Sequence, residues 1–279
     1  MTPSHTQHPV GTDRATSAPR PIAWMDGRVV PASEATVPLT DEGFLRGDAV
    51  FEAVLVRRGQ THALEAHLAR MRRSAHTLSL RLPVLKRVVQ DLLAGWGDQD
   101  GTLRLIVTRT GTIRGMLSQE PHPETMSLAV LDIPWGSALT GTKTLSYALN
   151  MWATRQAREL GADDALIVQD GTILELPTGA IGIVRDGQVH APDPAALPIL
   201  DSVTMQQLAD IVDLEWSTPS LADVLTADEL FIVSASRPVV PVHAVLAGDE
   251  ERTLTAPGPM TRALHDRLLA HIDATLDDG

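Results

Sequence analysis

The feature that most constrains this chain is a turn signal set repeatedly between short apolar runs. Asp26-Gly27 separates IAWM from RVVP, Asp170-Gly171 separates ALIVQ from TILEL, and Asp186-Gly187 separates IGIVR from QVHAP. An Asp-Gly pair accepts the left-handed backbone that a two-residue hairpin demands, so each marks a pair of antiparallel strands. VFEAVLVRR turns back at Gly59 in the same way. TLRLIVTRT alternates Leu103, Leu105, Val107 and Arg109 on one face with Arg104, Ile106 and Thr108 on the other, the period of a strand. An arginine closing an apolar strand face is costly without an anionic partner.

Between the hairpins the period changes. Leu64, Leu68, Met71, Ala75 and Leu78 recur at helical spacing, and a second helix is expected from about Asn150 to Leu160, stopped by Gly161. Asp201, Ser202 and Thr204 stand at the entry of a third, amphipathic helix. ADELFIVSASRPVVPV reads as a buried strand ending in a Ser/Pro loop. The fold class is therefore mixed α/β. Residues 1–20, rich in Ser, Thr, Pro and His, read as a disordered tail. PWGSALTGT is small and turn-rich, which places an interdomain linker at 135–142, between an N-terminal α/β domain over 21–134 and a C-terminal domain over 143–279.

Composition narrows the function. The chain of 279 residues has no cysteine, which removes thiol nucleophiles, disulfides and Cys-ligated metal, and no metal site is expected. A net charge of −12 and an aromatic content of 3% argue against nucleic-acid partners. No apolar run is long enough for a membrane span, and the start lacks the apolar core of a secretion signal, so a cytoplasmic protein acting on small molecules is expected. The chain has only two lysines: Lys86 in a polar helical stretch, and Lys143 among small residues beside an apolar segment.

Six blocks in order and spacing carry a resemblance: LTDEGFLRGDAVFEAV, LEAHLARMRRSA, LRLIVTRT, KTLSYALNMWATRQARELGADDALIVQDGTILE, ILDSVTMQQL and ELFIVSASRPVVPV. Together they resemble the class IV aminotransferases, a family of two-domain fold type IV proteins that hold pyridoxal 5′-phosphate between the domains. The resemblance implies that Lys143 bonds covalently to the cofactor, that Glu175 faces its pyridine nitrogen, and that Arg70 binds its phosphate. It further implies that Val203 and Thr204 form one phosphate loop, and Ala235 and Ser236 a second. Arg109, and more weakly Arg104, match positions that bind a substrate carboxylate. Relatives of this kind are usually homodimers, and the same is expected here.

The sequence departs from the family pattern at Leu176, where a small residue is usual, and at Ala49, Ser202 and Met205. Leu176 is expected to reshape the pocket. Within the family, SASRPVVPV, KTLSYALNM and ILDSVTMQQL look most similar to 4-amino-4-deoxychorismate lyases of actinobacterial type. The implied substrate is a small amine bearing a carboxylate. An aminotransferase acting on branched-chain or D-amino acids is the alternative, and a member that has lost its cofactor chemistry and acts as a binding protein is the second.

Overall fold

The computed structural model describes residues 19–277. The expected tail, residues 1–20, lies almost wholly outside the described residues. Among the described residues sixteen strands form two sheets. The first takes β1 (Ile22–Met25), β2 (Arg28–Pro31), β3 (Ala49–Arg57), β4 (Gln60–His62), β5 (Gly101–Thr108) and β6 (Ile113–Ser118). The second takes β7 (Met126–Asp132), β8 (Asp164–Gln169), β9 (Thr172–Ile173), β10 (Ala180–Arg185), β11 (Gln188–Pro192), β12 (Leu214–Ser217), β13 (Glu229–Ser234), β14 (Arg237–Ala247) and β15 (Glu250–Thr253). The chain then returns, and β16 (Leu276–Asp277) pairs with β4 at the edge of the first sheet.

The turn dipeptides act as expected. Asp26 and Gly27 have φ of 52° and 88°, Asp170 and Gly171 52° and 76°, Asp186 and Gly187 51° and 76°. Both central residues are left-handed in each case, which matches the right-handed twist of the flanking strands. Arg58 and Gly59, at 51° and 72°, turn β3 into β4 by the same geometry.

Seven α-helices cover the sheets: α1 (Glu42–Arg46), α2 (Leu64–Thr77), α3 (Lys86–Trp96), α4 (Ala148–Glu159), α5 (Val203–Ala209), α6 (Leu221–Thr226) and α7 (Pro259–Ala274). The stripe Leu64, Met71 and Ala75 of α2 is buried with Val88, Leu92 and Trp96 of α3 against Val54, Leu103, Leu105 and Leu117, forming the core of the first sheet. Leu264, Leu268 and Ile272 of α7 pack with Phe231 and Val233 on one face of the second sheet. Glu229 fixes the start of α7 by accepting from the N–H groups of Met260 and Thr261, each at 2.8 Å. Among the described residues no helix is long and apolar enough to cross a membrane.

Two expectations need correction. Residues 126–132 were expected in the N-terminal domain, but β7 lies inside the second sheet, parallel to both β14 and β8. The chain thus passes between sheets after Ser118, earlier than the expected linker at 135–142. The turn-rich text around Pro134 marks instead the exit of β7. Secondly, RPVVPV is not a loop. It opens the eleven-residue strand β14. Its prolines are tolerated because pairing with β7 begins only at Val242, and the register with β13 shifts between Ile232 and Ser234, so the hydrogen-bond ladder is incomplete beside Pro238 and Pro241.

Candidate active site

A cavity of about 1310 Å³ lies between the two sheets. The first sheet and α2 give it Phe51, Arg70 and Arg104; the second gives it Glu175 and the turn at Ala235 and Ser236, with Ser202, Val203 and Thr204 at the start of α5. Lys143 lies on the segment that crosses between them.

Three contacts position Lys143. Its N–H donates to Ser74 Oγ at 3.0 Å, its carbonyl accepts from Phe51 N–H at 3.1 Å, and Val50 and Thr144 form an isolated bridge. The crossing segment is therefore pinned on α2 and β3, which the sequence assigned to the other domain. The ammonium lies 4.4 Å from the centre of the Phe51 ring and donates to the Tyr147 hydroxyl at 3.2 Å. Burial, reinforced by the positive charge of Arg70, lowers its pKa from 10.5 to about 8, against the opposing pull of Glu52 and Glu175. A lysine so placed carries a usable neutral amine near physiological pH.

Arg70 is 6% exposed and is held rigidly. Its Nε and Nη2 donate to the two carboxylate oxygens of Glu52 at 2.8 and 2.7 Å, and Nη1 donates to the Asp201 carbonyl at 2.8 Å. Part of the donor fork is left over for a ligand. Glu52 also faces His67 Nδ1 at 2.9 Å. Burial acts to raise the Glu52 pKa, but the hydrogen bonds from Arg70 and His67 outweigh it and hold the carboxyl at about 2. This is a fully ionised pair in a buried setting.

Glu175 closes the opposite end. Its Oε1 accepts from the Trp135 indole N–H at 2.8 Å and its Oε2 from the Leu200 N–H at 3.1 Å. Burial pushes its pKa up, and those two donors, with Lys143 and Arg70 at longer range, pull it back. The Ala235–Ser236 turn and the first turn of α5 supply backbone N–H groups and two hydroxyls to the same cavity.

The departures at Leu176, Ser202 and Met205 have local explanations. Leu176 is 1% exposed: it packs with Leu166, Ile181 and Val240 in the core of the second sheet and also lines the cavity beside Glu175. Ser202 caps α5, its Oγ accepting from Met205 N–H at 3.3 Å, and Met205 is buried beneath the helix.

The two arginines are placed differently. Arg109 does not reach the cavity of its own chain: Nε and Nη2 bind Asp48 at 2.9 and 3.2 Å, while Nη1 and Nη2 donate to the carbonyls of Ser79 and Leu78 at 2.6 and 2.5 Å. Asp48 is the anionic partner that an arginine at the end of β5 requires. Arg104 does line the cavity, its guanidinium 5.2 Å above the Phe51 ring.

The sequence reading missed Glu52, Trp135 and Tyr147. Glu52 was detectable, as one carboxylate inside the apolar run VFEAV. Tyr147, the sole tyrosine, follows Lys143 in the same block, KTLSY. Trp135 gave no signal, since its link to Glu175 depends on how the segment after β7 returns.

The donor set fits pyridoxal 5′-phosphate: a buried amine of lowered pKa, a buried carboxylate, and an arginine with two backbone turns all face one space. The amino-transferase class IV family model matches residues 49–245. The chain belongs to this family. The class IV aminotransferases are pyridoxal-phosphate enzymes, and this chain is one of them. It is 30% identical to a bifunctional aminodeoxychorismate lyase/D-amino acid transaminase of Mycobacterium tuberculosis, over 80% of this chain and 91% of the relative. A D-alanine aminotransferase of Bacillus licheniformis is 25% identical, over 90% of this chain and 98% of the relative. Among solved structures, a hypothetical aminotransferase from M. tuberculosis in its cofactor-bound form superimposes with a TM-score of 0.81 at 27% identity, covering 91% of this chain and 99% of that one. The fold is fold type IV, as expected.

Proposed function

We propose that this enzyme is a lyase converting 4-amino-4-deoxychorismate to 4-aminobenzoate, a folate precursor, and pyruvate. The observation that carries the amine chemistry is the buried Lys143 amine, with its pKa near 8, facing Glu175 across one cavity. The lyase reading is supported by the likeness to the bifunctional M. tuberculosis protein and by the SASRPVVPV turn.

When bound, pyridoxal 5′-phosphate supplies an electron sink for the carbon bearing the substrate's amine. Lys143 would attach the cofactor covalently, and its neutral amine would take the proton from that carbon. Glu175, its two oxygens oriented by Trp135 and Leu200, would face the pyridine nitrogen and supply the carboxylate that balances its charge. Arg70, Val203, Thr204, Ala235 and Ser236 would hold the phosphate, and Arg104 would receive a substrate carboxylate. Exposed apolar side chains, Leu139, Leu149 and Met151, flank the mouth of the cavity, and Trp152 stands beside them, which supports a homodimer closing over the site.

Incubating the purified protein with 4-amino-4-deoxychorismate, without any keto acid, is expected to release 4-aminobenzoate and pyruvate in equal amounts. A lyase needs no amino acceptor. The second reading, a D-amino acid transaminase, is favoured by the dual activity of the same relative. Turnover that requires D-alanine with 2-oxoglutarate, and no release of 4-aminobenzoate, would replace the first reading by the second.

A further inference from the structure

The cavity holds a further guanidinium besides those of Arg70 and Arg104. Arg237, the first residue of β14, lines the cavity directly after the Ala235–Ser236 turn. Its hydrogen-bond partners are all neutral. Nε donates to Ser234 Oγ at 3.2 Å, Nη2 to Thr178 Oγ1 at 2.8 Å and to the Thr178 carbonyl at 3.3 Å, and Nη1 faces Met126 Sδ at 3.7 Å. Most of the arginines with ion pairs in this structure bond a carboxylate directly. Arg237 has no such pair among the described residues.

Two acids lie within electrostatic range, Asp164 and Glu120. Neither neutralises it at contact distance. The Asp164 carboxylate is engaged by the Thr154 hydroxyl at 2.8 Å and by Ala165 N–H at 2.9 Å. His122, which lines the same lobe, is kept towards its neutral form by burial and then by the charge of Arg237. A half-buried guanidinium satisfied by neutral acceptors, opening on a cavity, retains an unmet preference for an anion. The planar fork favours a carboxylate. Ser234 and Thr178 fix its direction from two sides, so the site is formed before a ligand arrives.

We propose that Arg237 is a substrate-recognition residue, forming with its lobe of the cavity a subsite for a second carboxylate on the substrate, separate from the one received by Arg104. The preferred substrate class is then a dianionic amine. This inference rests on the proposed function in one respect: the cavity takes an amine substrate beside the cofactor.

The test uses cofactor-loaded enzyme and unreactive probes, titrated by calorimetry: succinate, glutarate and adipate against butyrate. Wild type should bind at least one dicarboxylate more tightly than butyrate. Arg237→Leu should weaken that dicarboxylate by about tenfold and leave butyrate nearly unchanged, whereas Arg104→Leu weakens both. Arg237→Gln, which can still donate to Thr178, supplies the same comparison if the leucine variant does not fold. Equal affinity for dicarboxylates and butyrate in wild type, or an equal loss for both in the Arg237 variants, would overturn the subsite. Cofactor content, measured on the same samples, separates the two claims: protein that never loads cofactor refutes the proposed function, not the subsite alone.

Discussion

At the scale of single residues, Glu175 separates cofactor electronics from pocket shape. Its two oxygens accept from Trp135 and Leu200, so the carboxylate is oriented before anything binds. Glu175→Gln keeps the size but removes the charge, and it turns one acceptor into a donor facing a donor. If proton removal from carbon limits the rate, kcat should fall about 10²-fold, corresponding to about 2.7 kcal/mol of transition-state stabilisation. Cofactor content should hold, because Arg70 and both turns are untouched. Steady-state kinetics beside absorbance-based cofactor counting checks this, and a variant with full kcat and full cofactor would remove Glu175 from the pyridine nitrogen. Lys143, Arg70 and Glu175, which the structure brings to one cavity, stand in the sequence in ordered and spaced blocks. Arg109, which follows the last residue of β5, turns to Asp48 within its own chain, because strand alternation gives the face of a residue and not its reach.

Among the elements, the Glu52–Arg70 pair ties β3 to α2 and aims the guanidinium at the cavity. Glu52→Gln leaves Arg70 buried without its counter-charge, a change expected to cost about 3–5 kcal/mol. The pH dependence follows from the direction of the shift. Glu52 titrates lower folded than unfolded, so its stabilisation is complete above about pH 4.5 and is lost as pH falls towards about 2. Urea unfolding at neutral pH should show the full difference between wild type and variant, and the difference should shrink on acidification through that window. A difference that is absent at neutral pH would contradict the role given to the pair. The same scale shows where sequence patterns mislead. Asp-Gly turns identified the hairpins because both central residues need positive φ. The prolines of β14 suggested a loop, because only tertiary pairing reveals that the ladder beside them is open.

For the whole molecule, function depends on two sheets meeting around one cavity, and the chain secures this twice. The crossing segment carries Lys143 back onto β3 after β7 has joined the second sheet, and β16 returns to β4 after α7 has packed on β13 and β14. Neither return is legible from local periodicity. Parallel neighbours such as β14, β7 and β8 leave no turn signature, which is why the domain boundary was read too late in the chain. The cofactor chemistry nevertheless depends on one atom, the Lys143 amine, in a chain with only two lysines. Lys86 stands exposed at the start of α3, away from the cavity. Borohydride reduction of the cofactor-loaded protein, followed by proteolysis and mass mapping, tests the claim directly. The account predicts a pyridoxyl label on the peptide containing Lys143 and none on Lys86, with Lys143→Ala losing the label and turnover together; a label on Lys86, or retained turnover in Lys143→Ala, would contradict it.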